Sequence, residues 1–190
     1  MKRALFFILI FSFVLFSCKN RTTNIEEKTA PVIADSRGYI VKVGDETPDF
    51  EIEYLDGRRE MLSSHRGKLI MLQFTASWCG VCRKEMPFIE EKIWKRHSGN
   101  PNFLLLGIDF KESKEITEKF AKDLNISYPL TLDLNGEKFQ LFCGPDAGVT
   151  RNIIIDPQGK IIMLTRLFEE EEFNSMVGLI DQELEKISAK

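Results

Sequence analysis

The sequence lacks a charge excess of either sign. It contains 26 Lys and Arg residues against 29 Asp and Glu, which gives a net charge of -3, and the two kinds are interspersed. Binding to the phosphates of nucleic acids requires a basic surface built from clustered Lys and Arg. The composition therefore predicts that nucleic acid is not a partner.

The sequence is also poor in metal ligands, with two histidines and four cysteines in 190 residues. Structural zinc sites use four ligands, commonly two close cysteine pairs or one such pair with two closely spaced histidines. Here His65 and His97 are isolated, Cys143 stands alone, and only Cys79 and Cys82 are close together. We predict neither a metal site nor a cofactor.

No apolar run reaches the roughly 20 residues that a membrane-spanning helix needs. The N-terminal sequence MKRALFFILIFSFVLFSCKN places two cations before an apolar stretch at residues 4–16. This arrangement is typical of a secretory signal peptide. We predict a signal peptide at residues 1–17, with a permanent membrane span as the alternative.

Cys18 ends the stretch LFSC, which resembles a bacterial lipobox, whose cysteine becomes the lipidated first residue of the mature protein. Acyl chains gain about 0.8 kcal/mol per buried methylene, so a lipidated Cys18 would hold the protein at a membrane surface. Residues 18–37 have few large apolar side chains, which suits a flexible tether. We expect an exported, periplasm-facing membrane lipoprotein, and a plain secreted protein is the alternative.

Residues 38–190 form the predicted domain, since a chain that is 43% hydrophobic can bury one ordinary core. The apolar runs KLIMLQFTA and NFLLLGIDF predict central strands that are buried on both faces. The stretch YIVKVGDETPDFEIEYLDGRREMLS, which begins at Tyr39, alternates in places and contains Asp56-Gly57, so it predicts an N-terminal β-hairpin. Helical patterns alternate with the strands, and RNIIIDPQGKIIMLTRL predicts a closing antiparallel hairpin. The fold class is therefore α/β, with a central mixed β-sheet flanked by helices.

Cys79 and Cys82 follow the first of these strands, where the pattern changes to helical spacing. Residues three apart in a helix share a face, with Cβ atoms about 5 to 6 Å apart, so a disulfide can close between them. The helix N-terminus favours a thiolate at the first cysteine. We predict that Cys79 attacks a substrate disulfide and that Cys82 resolves the mixed disulfide.

Three stretches, GDETPDF, FTASWCGVCRKEMP and IIIDPQGKII, resemble the thioredoxin-like TlpA/ResA group of lipoproteins and membrane-tethered proteins. The resemblance extends from about Gly38 to the C-terminus. It implies a thioredoxin-like fold within the AhpC/TSA superfamily, with a helix-strand insertion. It also implies a nucleophilic Cys79, a resolving Cys82, a flanking Trp78 and a helix kinked by Pro87.

Glu85 matches an acidic residue that this group has three positions after the second cysteine. It lies at the edge of the apolar stripe of the predicted helix, so a half-buried carboxylate could exchange protons with Cys82. A solvated helix glutamate is the alternative. Gln73 occupies the strand position where thioredoxin has a buried aspartate, which favours the active role.

Two departures from thioredoxin affect substrate binding. Gly80 and Val81 separate the cysteines where thioredoxin has Gly-Pro, so the N–H of Val81 is available to the site. Thr150 occupies the position of the cis-proline that faces the cysteines, and we expect a trans bond before it because a cis bond to a non-proline costs about 2.5 to 4 kcal/mol. Thr150 would contact a docked backbone or a thiolate, and Arg151 would hold a carboxylate or favour a thiolate.

The function predicted from these residues is a membrane-tethered thiol-disulfide oxidoreductase outside the cytoplasm, working as a reductant. Its partners would be protein thiols or disulfides, including those of haem-protein maturation, and a membrane electron donor. Two alternatives stay open: a peroxiredoxin-like peroxidase, because GDETPDF also occurs in peroxiredoxins, and a non-catalytic binding or metal-chaperone module. Leu72 and Ala76 stand where a peroxidase would have proline and threonine.

Overall fold

Strands and helices alternate along residues 37–189, the part of the chain that the computed structural model describes. The predicted signal peptide, Cys18 and all of the predicted tether except Arg37 lie outside these residues. The strands are β1 (Glu51–Glu53), β2 (Arg59–Met61), β3 (Leu69–Thr75), β4 (Phe103–Phe110), β5 (Leu130–Asp133), β6 (Arg151–Ile155) and β7 (Ile161–Arg166). The α-helices are α1 (Gly80–Ile89), α2 (Lys95–His97), α3 (Lys114–Asp123), α4 (Glu137–Gln140) and α5 (Glu170–Ser188).

Five strands form one mixed sheet in the order β5-β4-β3-β6-β7. The β3–β4 and β4–β5 pairs are parallel, whereas β3–β6 and β6–β7 are antiparallel. Strand β3 is buried along its whole length because helices and loops cover both faces of the sheet, as its apolar run predicts. The predicted α/β fold with a central mixed sheet is confirmed.

The N-terminal hairpin is shorter than the sequence suggested. β1 and β2 pair around a turn in which Gly57 has a φ of 86°, so the Asp56-Gly57 signal is confirmed. The preceding segment does not join this hairpin. Tyr39 instead forms a β-bridge with Cys143, and its hydroxyl donates to the Thr165 carbonyl at 2.6 Å. Its ring is fully buried in the core, which draws this segment away from the hairpin.

Apolar side chains on both faces of the sheet hold the helices. One face packs Phe74, Phe139 and Phe142 together, with ring centroids 5.3 and 5.6 Å from Phe74. The other face packs α1 and α5 through side chains that are all buried, namely Met86, Ile89, Phe173, Met176 and Ile180. This packing fixes α1 against the sheet, so its N-terminus lies at the end of β3.

Helix α1 contains Pro87 and changes its hydrogen bonding shortly after it. Proline has no N–H to donate, which interrupts the ladder of an α-helix. The chain continues as a π-helical segment at Glu90–Trp94 before α2 begins. In this segment the buried Glu90 accepts hydrogen bonds from the Ser127 N–H at 2.9 Å and the Ser127 hydroxyl at 2.6 Å.

Candidate active site

Cys79 and Cys82 form a disulfide at the N-terminus of α1, with Cα atoms 5.3 Å apart. The helix begins at Gly80, and Cys79 is its N-cap. The Cys79 Sγ accepts a hydrogen bond from the Cys82 N–H at 3.2 Å. Cys79 keeps 9% of its surface exposed while Cys82 is fully buried, so Cys79 is the more accessible sulfur.

Thr150 lies across the disulfide, with its Oγ1 atom 3.0 Å from the Sγ atoms of both Cys79 and Cys82. The bond before it is trans, as expected. Its φ is 71°, a conformation that is rare for a β-branched residue. The Thr150 N–H donates to the Phe74 carbonyl, and the Thr150 carbonyl accepts from the Leu167 N–H. These two bonds hold the hydroxyl at the sulfurs.

Glu85 is fully buried, with 1% of its surface exposed. The expectation of a half-buried or solvated carboxylate is therefore wrong, because β3 and β6 cover this side of α1. The Glu85 carboxylate accepts hydrogen bonds from Asn152 Nδ2 at 2.7 Å and Gln73 Nε2 at 3.4 Å. Burial raises the pKa of Glu85 to about 7, against the lowering effect of these two amides, and the Glu172 carboxylate raises it further.

The residues around the disulfide provide an exposed rim. Trp78 has 64% of its surface exposed, Gly80 is exposed, and Val81 is half-buried. Leu167, whose backbone bonds to Thr150, is 38% exposed. The predicted docking residues Trp78, Gly80 and Val81 thus surround the more accessible sulfur.

Arg151 is not part of this rim in the structure. It is 1% exposed, and its guanidinium donates to the carbonyls of Gly148 and Arg37 at 2.8 and 2.6 Å. The guanidinium carbon also lies 4.6 Å from the centre of the Tyr39 ring. Arg151 therefore braces the loop before β6, which corrects the expectation that it would meet the substrate directly.

The model of the AhpC/TSA family matches residues 43–163, which is more than half of the chain. The chain belongs to the AhpC/TSA family.

Named relatives of this AhpC/TSA member carry out thiol-disulfide chemistry. The thiol-disulfide oxidoreductase ResA of Geobacillus thermodenitrificans is 31% identical over 64% of this chain and 67% of its own length. A solved structure from Bacteroides thetaiotaomicron, provisionally named a protein disulfide isomerase, is 54% identical, with a TM-score of 0.76, over 80% of this chain and 95% of that one.

A more distant structure shares the fold of this family member. It is a thiol:disulfide interchange protein of Chlorobium tepidum, provisionally assigned as DsbE, with 23% identity, a TM-score of 0.66, and coverage of 76% of this chain and 99% of that one. Together with the Cys79–Cys82 pair, the comparisons show a thioredoxin-fold thiol-disulfide oxidoreductase. None of the helices within residues 37–189 combines the length and the apolar character that a membrane span requires.

The third described cysteine of this AhpC/TSA member, Cys143, is free and buried. Burial raises the pKa of its thiol to about 12, and the nearby Arg151 only partly opposes this effect. A thiol that stays protonated is a poor nucleophile. The structure therefore favours a packing role for Cys143 over a third redox thiol.

Two acidic residues beside the site, Glu112 and Asp109, were missed by reasoning from the sequence. Glu112 accepts hydrogen bonds from the Ser77 N–H at 2.6 Å and the Ser77 hydroxyl at 2.7 Å, which fixes the turn before Cys79. Asp109 lies opposite Thr75 in the sheet, and burial, followed by the Glu112 charge, raises its pKa to about 8. The available signal was topological, because parallel β3 and β4 end at the same edge and bring these residues together.

Proposed function

We propose that this protein is a membrane-tethered, extracytoplasmic reductant of protein disulfides, with Cys79 as nucleophile, Cys82 as resolving thiol and Glu85 as proton acceptor. The observation that carries the proposal is the Cys79–Cys82 disulfide at a helix N-terminus, with the buried Glu85 three positions further along the same helix. The N-terminal signal pattern and Cys18 support export and lipid anchoring. The targets would include cysteines used in haem-protein maturation, and a membrane electron donor would recharge the pair.

In the first step the Cys79 thiolate attacks one sulfur of the target disulfide. The target S–S bond breaks, a mixed disulfide forms at Cys79, and the target's other sulfur leaves as a thiolate that takes a proton from solvent. The N-terminal N–H groups of α1 and the Thr150 hydroxyl, which is 3.0 Å from Cys79 Sγ, favour the attacking thiolate. Trp78, Gly80 and Val81 would contact the target on either side of this sulfur, and Arg151 would support the loop that carries Thr150.

In the second step the Cys82 thiol gives its proton to the Glu85 carboxylate and attacks Cys79 Sγ. The mixed disulfide breaks, the second target sulfur leaves as a thiolate, and the Cys79–Cys82 disulfide forms. Two electrons have then passed from the protein to the target. Because Glu85 has a pKa near 7, it can accept a proton above that pH and return one when the pair is reduced again.

The reduction potential of the Cys79/Cys82 couple tests the direction of the reaction. A value near about -270 mV, as in thioredoxin, is expected for a reductant, whereas a value near about -120 mV, as in DsbA, would contradict the proposal. A Cys82→Ser variant retains the nucleophile and lacks the resolving thiol. It should therefore accumulate mixed disulfides with its targets, which mass spectrometry can identify, and failure to trap any protein through Cys79 would contradict the assigned roles.

We expect a Thr150→Val variant to react more slowly with thiol reagents. Valine keeps the branched shape at φ 71° but removes the hydroxyl that lies against the sulfurs. The pKa of the reduced Cys79 should rise by up to about one unit, and the potential should become more negative because the thiolate loses a donor. The measurement is the pH dependence of Cys79 alkylation.

Thr131→Val provides the matched control for Thr150→Val. Thr131 is also buried, and its replacement also removes a hydroxyl hydrogen bond, in this case the 3.1 Å bond to the Gly107 carbonyl. It should leave the alkylation profile of Cys79 unchanged. Equal shifts of the Cys79 alkylation profile in the two variants would show that the Thr150 hydroxyl has no specific effect on Cys79.

A further inference from the structure

Behind Glu85 the structure contains a connected set of buried polar side chains that the mechanism above does not use. The Tyr128 hydroxyl donates to Gln73 Oε1 at 2.6 Å, and Gln73 Nε2 donates to Glu85 Oε2 at 3.4 Å. We propose that Tyr128 is a positioning residue, which orients the Gln73 amide with its NH2 group toward Glu85 and thereby sets how readily Glu85 takes up a proton. This inference rests on the proposed role of Glu85.

The orientation of the Gln73 amide follows from the chemistry of its two ends. A glutamine presents an acceptor at one end and a donor at the other, so the partner at one end decides what the other end offers. Burial raises the pKa of Tyr128 well above its usual value, so Tyr128 keeps its proton. Among the described residues Gln73 Oε1 is the acceptor for that proton. The NH2 group of Gln73 must then face Glu85.

The backbone around Tyr128 holds its ring in place. Gly107 lies opposite Gln73 in the β3–β4 register, and a Cβ atom there would lie 3.2 Å from Tyr128 Cε2 and would collide with Leu130. The residue before the tyrosine, Ser127, is bound through both its N–H and its hydroxyl by Glu90. Tyr128 is 2% exposed, and its ring passes close to Gly107 where it approaches Gln73.

The negative charge of Glu85 is stabilised by two side-chain amides, those of Asn152 and Gln73. Asn152 on β6 donates to Glu85 and also to the Thr165 hydroxyl on β7 at 2.9 Å. The charged group that acts on Glu85 from α5 is the Glu172 carboxylate, which disfavours a second negative charge. A change at either amide should therefore be felt directly in the protonation of Glu85.

A Tyr128→Phe variant tests the inference without touching Glu85 or the cysteines. Loss of the hydroxyl frees Gln73 to turn its carbonyl toward Glu85 and accept a hydrogen bond from the protonated acid. The pKa of Glu85, followed by 13C NMR of its side-chain carboxyl in the reduced protein, should rise by about half a unit to one unit. An unchanged carboxyl titration in a folded variant would overturn the proposal.

Tyr54→Phe is the matched control. The Tyr54 hydroxyl also donates a 2.6 Å hydrogen bond to a side-chain oxygen, in this case the carboxylate of Glu60, and the Tyr54 ring is also buried, but Tyr54 lies at the N-terminal hairpin. The Tyr54→Phe change should lower the stability of the folded protein about as much as Tyr128→Phe does, and it should leave the Glu85 titration unchanged. A shift of the same size in both variants would show that Tyr128 acts only through general packing, against the proposal.

A Gln73→Leu variant and the double variant give an independent check. Gln73→Leu removes the amide and should raise the pKa of Glu85 by about one unit or more. If Tyr128 acts through Gln73, adding Tyr128→Phe should then change the pKa no further, whereas additive shifts would contradict the proposal. Because the carboxyl titration is read directly, it separates this inference from the proposed function, which would fail if Glu85→Gln left the exchange kinetics unchanged.

Discussion

Replacing Cys79 with serine should reduce disulfide exchange to the rate measured without the protein. The attacking atom must be a thiolate, and a serine hydroxyl does not ionise near neutral pH even at a helix N-terminus. Cys79 and Cys82 form the one disulfide among the described residues, and Cys79 is the more accessible of the two. The measurement is reduction of a model protein disulfide by the pre-reduced domain.

Cys143→Ala provides the control for Cys79→Ser, since it also removes a thiol. Its exchange rate should match that of the unchanged protein, because the Cys143 thiol is buried and remains protonated. Residual exchange in Cys79→Ser that Cys143→Ala abolishes would reverse the assignment. Rapid peroxide consumption without disulfide exchange would instead favour the peroxidase alternative, and an intact cellular role in Cys79→Ser would favour the binding module.

A Glu85→Gln variant should have the second largest effect, slowing release of the second target thiol by about a hundredfold above pH 7. In the proposed mechanism the carboxylate takes the proton from Cys82 in this pH range, and glutamine cannot do so. The unchanged protein should lose this step as the pH falls through about 7, because Glu85 then becomes protonated. Stopped-flow measurement of the resolution step across pH 5 to 9 gives both results.

The same Glu85→Gln change should stabilise the folded protein at neutral pH. The pKa of Glu85 is raised in the folded state, from 4.5 to about 7, so its unfavourable contribution is absent below pH 4.5 and grows as the pH rises toward 7. Removing the charge should recover on the order of 3 kcal/mol at most above pH 7. Urea unfolding at pH 5 and pH 8 tests this.

Glu91→Gln is the control for both Glu85 measurements. Glu91 is exposed in the segment that follows α1 and pairs with Lys95. Because its carboxylate is solvated, the change should leave the pH profile of the resolution step and the stability difference between pH 5 and pH 8 almost unaltered. A slowed resolution step in Glu91→Gln would mean that the loss in Glu85→Gln is not specific to the buried acid.

The sequence predicted well the features that depend on neighbouring residues. The runs that became β3 and β4, the Asp56-Gly57 turn and the cysteine spacing all depend on local pattern. The alternation in the segment around Tyr39 is compatible with a strand and predicts that this segment belongs to the hairpin. Its buried ring pairs the segment instead with Cys143, more than a hundred residues away, and no local pattern contains that information.

The site residues that the sequence misjudged are those whose environment comes from distant strands. A helical wheel places Glu85 at the edge of an apolar stripe, but it does not show that Gln73 on β3 and Asn152 on β6 cover that edge. The sequence predicts that Arg151 holds a carboxylate or favours a thiolate, because arginine is rarely buried and its guanidinium is expected to be accessible. Its burial required the ring of Tyr39 and two carbonyl acceptors from separate loops.

The backbone at Thr150 limits how this protein and proline-bearing thioredoxins can be interconverted. Proline requires a φ near about -65° and has no N–H, whereas position 150 has a φ of 71° and donates to the Phe74 carbonyl. A single exchange of threonine for proline would therefore break the local geometry. Introducing the proline, by design or in evolution, therefore requires a new backbone conformation for the segment from Val149 to Arg151. The hydrogen bond between Thr150 and Leu167 must change with it.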